Sequence, residues 1–183
     1  MTSNEIRIVE FQNCWQEKFV VEAALLQSAL GDVARAIHHI GSTSVPGLAA
    51  KPIIDILMEV PGLSELDNAS IHLPALGYEI MGEFGIPGRR YFRKGQSPRT
   101  HHVHAFEAGD RNIVRHLAFR DYLTHHPEVA DQYVGLKRSL ANRYRQDNEG
   151  YCRGKEPFIR FHENRALDWY LNTQSHCISN AQS

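Results

Sequence analysis

Three small groups of residues have the types and spacing that chemistry can use. The first is Gly41-Ser42, which follows a short run with strand character and opens the turn-rich segment GSTSVPG. Such a junction leaves backbone N–H groups and a hydroxyl free to face a phosphate-sized anion. The second is Asp55, thirteen residues after Ser42 and in the middle of the apolar run PIIDILMEV. A carboxylate in that setting costs on the order of several kcal/mol unless a cation or hydrogen-bond donors meet it. The third is the pair His102 and His104 in THHVHAFE. Alternate strand residues share a face with Cα atoms about 7 Å apart, so both rings can converge on one divalent ion at about 2.0–2.1 Å per nitrogen.

Strand alternation sets Ile53, Asp55, Leu57 and Glu59 on one face of their strand and Ile54, Ile56, Met58 and Val60 on the other. If the two strands are neighbours with like faces together, Asp55, His102 and His104 form an Asp/His₂ site open on one side. Glu59 is a poor fourth ligand, since four strand residues separate it from Asp55 by about 13 Å. Each group also has a plain reading: an ordinary loop, an Asp paired with an Arg or a backbone N–H, and two hydrogen-bonded histidines. Further candidates are Lys51 at the strand entrance, Arg90 in the charged hairpin of Arg89, Arg90, Arg93 and Lys94, and Tyr151 with Lys155, which share a helix face. Lys51 could instead cap a loop, and Lys155 could pair with an acid on an adjacent helix. Arg120-Asp121 reads as a structural ion pair. Lys137, set among apolar neighbours on its helix, is not counted among the site residues.

These residues need elements to position them. Residues 13–30 place Trp15, Phe19, Ala23, Leu26 and Leu30 at helical spacing with Gly31 as a stop. Strands are expected at 33–40, 52–60, 78–81, 89–94 and 100–107, with a modest helix at 63–76 interrupted near Pro74. Beyond Asp110 the spacing is helical over 113–125, 127–145 and 149–171, with Pro127 in a first-turn position. This is an α+β domain over residues 1–172: a mixed sheet, one N-terminal helix and a C-terminal helical layer, followed by a polar tail from 173 to 183.

Composition narrows the partners. The chain has 183 residues, 42% hydrophobic and 22% charged, ordinary for one globular domain. Twenty Lys+Arg against twenty-one Asp+Glu leave a net charge of −1, which does not suit a wholesale grip on duplex DNA or an anionic membrane. Cys14, Cys152 and Cys177 are odd in number and far apart, so neither a disulfide framework nor a thiolate zinc site is indicated. With no basic start leading into an apolar run and no stretch of about 18 apolar residues, a cytoplasmic protein is expected.

Read together, HIGSTSVPGLAAKPIIDI at 39–56, GIPGRRYFRKG at 85–95, THHVHAFE at 100–107 and RHLAFRDYLTHHPE at 115–128 closely resemble the GrpB family, and YVGLKRSLANRY and YCRGKEPFI continue the match. The resemblance implies a fold like that of the DNA polymerase β nucleotidyltransferase superfamily. Its pattern is a Gly-Ser after a strand, then two acids one residue apart on the next strand. Gly41-Ser42 and Asp55 match, whereas Leu57 holds the second acid's place and His38 stands where the family more often has Glu. Two-metal transfer needs carboxylates to hold magnesium ions about 3.5–4 Å apart, which one Asp does not easily do; imidazole favours zinc or another transition metal.

On this resemblance Gly41, Ser42, Lys51, Arg90, Tyr151 and Lys155 are expected to hold a nucleotide or other small phosphorylated ligand. Asp55, His102 and His104 are expected to hold a divalent ion, with Asp55 also the catalytic residue. Three functions stay open: a metal-dependent nucleotidyltransferase using a small acceptor, a nucleotide- or metabolite-binding module that has lost catalysis, and a single-metal hydrolase.

Overall fold

The computed structural model describes residues 5–180. Helix α1 (Cys14–Leu30) turns Trp15, Leu26 and Leu30 inward at helical spacing, together with Glu22. A short 3-10 turn leads into β1 (Ala36–Ile40), and another at Ser42–Ser44 opens the loop to β2 (Ile54–Val60). Helix α2 (Leu63–Ala69) tightens into a 3-10 segment, Ser70–Leu76, which contains Pro74. The hairpin of β3 (Tyr78–Ile80) and β4 (Arg90–Lys94) follows, then β5 (His101–Glu107).

The five strands form one mixed sheet in the order β1-β2-β5-β4-β3. Only β2 and β5 run parallel, so both begin at the same end of the sheet. Their register sets Asp55 opposite His102 and Leu57 opposite His104. One face carries Ile54, Ile56, Met58, Val103 and Ala105 and packs against Trp15 and Leu26 of α1 and Leu66 of α2. On the other face, Ile40, Leu57 and Phe106 meet Ile113 of α3 (Arg111–His125).

Helices α3, α4 (Pro127–Arg143) and α5 (Asn148–Asn180) share a second core, into which the loop after β1 inserts Val45 and Leu48. Pro127 takes the first turn of α4, where its missing N–H costs nothing. Close approach of α4 and α5 depends on Gly154, since a Cβ there would lie 2.5 Å from Leu140 Cδ2. Past Pro157 no glycine or proline stops α5, and it runs to Asn180 through the segment expected as a polar tail; residues 181–183 lie outside the described residues. Among the described residues, no helix is long and apolar enough to cross a membrane.

Candidate functional site

Where β2 and β5 begin, the sheet and the helical layer enclose a cavity of about 380 Å³. The sheet supplies Asp55, Tyr91, His102 and His104; the loop between β1 and β2 supplies Ser42, Thr43 and Lys51; the helices supply Lys137, Asn148, Tyr151, Cys152 and Lys155. Asp55 is the single carboxylate of this lining and faces three lysines.

Asp55 is fixed from both sides. His102 Nδ1 lies 3.2 Å from Asp55 Oδ1, a hydrogen bond, while His104 Nε2 stands 3.8 Å from the same oxygen. Arg89, itself only 6% exposed, sets the His104 tautomer. Its Nη1 is 3.3 Å from His104 Nδ1, and a guanidinium only donates, so Nδ1 accepts and the ring proton sits on Nε2, toward Asp55. Burial lowers the pKa of His104 and keeps the ring neutral. Burial works against ionisation of Asp55 too, but the donors of His102 and His104 outweigh it and hold this carboxyl well below the usual range. On the far side Gly41 has φ +69, and a Cβ there would meet Asp55 Oδ2 at 2.6 Å, so only glycine suits the position.

The opposite wall is cationic. Lys137, 2% exposed, donates to Ser42 Oγ at 3.1 Å and to the Ala49 carbonyl, with the Tyr133 ring 4.7 Å from its Nζ. Burial, helped by the charges of Lys155 and Arg138, brings its pKa down to about 7. Lys51 donates to Asn148 Oδ1 at 2.7 Å, and burial lowers its pKa as well. Lys51 and Lys155 lie 5.3 and 4.5 Å from the centre of the Tyr151 ring, so that tyrosine arranges two of the three cations. His39 braces the loop beneath them, bonding Thr43 Oγ1 at 3.0 Å and stacking on Phe19 at 4.8 Å; burial takes its pKa to about 4.

The structure therefore brings together Ser42, Lys51, Asp55, His102, His104, Tyr151 and Lys155, with Gly41 behind the carboxylate. Arg90 is a correction. Its register opposite Ala105 turns it to the other face of the sheet, where its guanidinium holds Asp67 through bonds of 2.6 and 2.7 Å. Arg89, one residue earlier, is the arginine that reaches the site. Lys137, left out of the expected site, lines it too: a lone cation inside the apolar stripe of α4 stands out in the sequence, but its partner Ser42 does not. Asn148 carried no sequence signal. Arg120 and Asp121 do pair, at 2.6 Å.

A pair of magnesium ions does not fit. Leu57 is fully buried among Ile40, Phe106 and Ile113, and Glu59 is taken up by His38 at 2.8 Å. Among the described residues no group of three or more His, Cys, Asp or Glu side chains is arranged to hold a metal ion. Asp55 and His102 point at each other rather than at a shared vacant centre.

A family model described as "GrpB protein" matches residues 5–165. The chain is 44% identical over 165 residues to UPF0157 protein YqkA of Bacillus subtilis (strain 168), covering 90% of this chain and 48% of that protein, so it spans about half of that relative's length. The crystal structure of GrpB from Enterococcus faecalis superposes with a TM-score of 0.86 at 44% identity, over 90% of this chain and 99% of that one. The Cid1 poly(U) polymerase, in a structure with MgGTP bound, matches with a TM-score of 0.53 at 13% identity, over 74% of this chain and 45% of that one. That likeness is one of fold: the chain has the nucleotidyltransferase architecture.

Proposed function

The chain belongs to the GrpB family, and on that premise we propose that it binds a nucleotide or another small phosphorylated ligand in the cavity between its sheet and its helices. One observation carries this reading. Ser42, Lys51, Lys137 and Lys155 surround a space whose single carboxylate is already occupied by a histidine. An anion is the ligand that such a wall stabilises: lysines act on phosphates as point charges, and a phosphate beside Lys137 would restore the proton that burial removes. A net charge of −1 favours a small ligand over duplex nucleic acid. Asp55 would lie beside the bound phosphates, able to orient an acceptor hydroxyl, but its low proton affinity makes it a weak general base. The residues present thus support binding more strongly than two-metal transfer.

Calorimetric titration with ATP, UTP, ADP and pyrophosphate, without metal and then with magnesium or zinc, tests the reading. Saturable binding that drops at least tenfold in Lys137→Met is expected; no heat with any of these compounds under any condition would overturn it. Metal-dependent transfer is the second reading, favoured by Asp55, His102 and His104 lying on one face of adjacent strands. A resident transition ion would need these three as its ligands, which requires His102 to leave its present bond and His104 to move its proton from Nε2 to Nδ1, giving up the bond from Arg89. Metal content of the purified protein and pyrophosphate release, each compared with Asp55→Ala, decide it.

A further inference from the structure

Across the cavity from the lysines lies an aromatic ring that the fold holds out at some cost. Phe84, in the glycine-rich turn between β3 and β4, is 54% exposed although it lines the cavity. Among the described residues it is the one non-glycine with a positive φ, +45°, a conformation that disfavours a side chain of its size. The turn is locked there by Arg89, which donates to the Glu83 carbonyl at 3.1 Å and to the Phe84 carbonyl at 2.6 Å; the Gly88 N–H donates to Glu83 Oε1 at 2.8 Å. The same arginine orients His104, so the turn and the Asp55 end of the site are built on one support.

Phe84 lies over Tyr91, with ring centres 5.2 Å apart and planes at 21°, and Arg93 reaches to 5.5 Å from its centre. Tyr91 and Arg93 leave the same side of β4, and both contact a ring that stays 54% exposed. Beneath it Tyr91 touches His102 and His104, at ring separations of 5.6 and 5.0 Å. The shelf therefore runs from the turn to the histidines beside Asp55, over β4 and β5, two strand spacings or about 10 Å from β2. Its contacts with Tyr91 and Arg93 still leave Phe84 54% exposed, so packing alone does not account for an apolar ring held in an unfavourable backbone state by three hydrogen bonds.

We infer that Phe84 is the platform on which the planar base of a nucleotide stacks, its phosphates lying toward Ser42 and the three lysines. This rests on the phosphate-binding reading above and narrows it: the ligand is a nucleotide, not a sugar phosphate or inorganic phosphate. Stacking tolerates any base, since every base has a π-face, so the shelf selects for a base without selecting among bases.

The test compares ATP with inorganic tripolyphosphate by calorimetry on the wild type, Phe84→Gly and Phe84→Trp. Glycine removes the ring and suits the backbone angle, and an intact melting transition with unchanged tripolyphosphate binding is the control that separates loss of the ring from loss of the fold. Wild type should prefer ATP over tripolyphosphate by about tenfold, a modest stacking contribution. Phe84→Gly should lose that preference while binding tripolyphosphate unchanged, and Phe84→Trp should keep it. Equal wild-type affinity for the two compounds, or an unaltered ATP preference in Phe84→Gly, overturns the platform while leaving the phosphate site standing. Binding of neither compound overturns both.

Discussion

Lys137 is the residue on which the proposed ligand binding turns. Its pKa of about 7 in the fold, against 10.5 for a free lysine, means that the unfolded chain holds more protons between those values. Stability contributed through this group therefore rises with pH across that window. On the proposed reading ligand binding moves the opposite way: the protonated form would hold the anion, so affinity should fall as pH climbs above 7, by up to about tenfold per unit. Calorimetry at pH 6.5, 7.5 and 8.5 would show this slope, and Lys137→Met should bind weakly at every pH with the slope reduced. Arg90 supplies the contrasting case. It lies on the other face of the sheet in a partly exposed pair with Asp67, so Arg90→Ala should leave ligand affinity within twofold and cost at most about 1 kcal/mol of stability in urea unfolding.

Among the elements, α1 is tied to the hairpin through one buried acid. Glu22, 4% exposed, accepts from Lys94 at 2.8 and 2.9 Å and from the Tyr78 hydroxyl at 3.0 Å. Glu22→Ala removes all three bonds and leaves Lys94 without this partner; a loss of about 2–4 kcal/mol in denaturant unfolding is expected, with the cavity on the opposite face unaffected. Most elements were legible in the sequence because their signals are local. Alternation marked the strands, apolar spacing marked the helices, and Gly31, Gly77 and Pro127 marked boundaries. Same-face alternation also brought out Asp55, His102 and His104. What stayed hidden depends on long-range pairing: β2 and β5 run parallel across 40 intervening residues, between Val60 and His101, and nothing local announces it. That pairing, with β4 beside β5, decides that Arg89 and not Arg90 faces the site. Lys137 escaped for a related reason, since a cation inside an apolar stripe acquires its meaning only when Ser42 arrives opposite it, 95 residues away in the chain.

Taken whole, the molecule has two main cores: one between the sheet and α1 and α2, the other among the three C-terminal helices. The cavity lies between the sheet and that helical layer, so a ligand touching Asp55 on one side and Lys137 and Lys155 on the other would bridge them. At a hundredfold excess over Kd such a ligand stabilises the fold by about 2.7 kcal/mol. For a chain of this length that corresponds to roughly 5–10 °C in melting temperature. Differential scanning calorimetry should show one cooperative transition moving upward; a ligand that shifted only part of the transition would mean that it engages one side alone.

Leu57 has a consequence for anyone seeking to install metal chemistry. Replacing it by aspartate puts a second acid at the spacing that ion capture calls for, yet the new group would emerge among Ile40, Phe106 and Ile113, away from water. There it would keep its proton, and the substitution should cost about 3 kcal/mol or more with no gain in magnesium affinity. A gain of function at this position would need the surrounding oily residues of β1, β5 and α3 to be exchanged together.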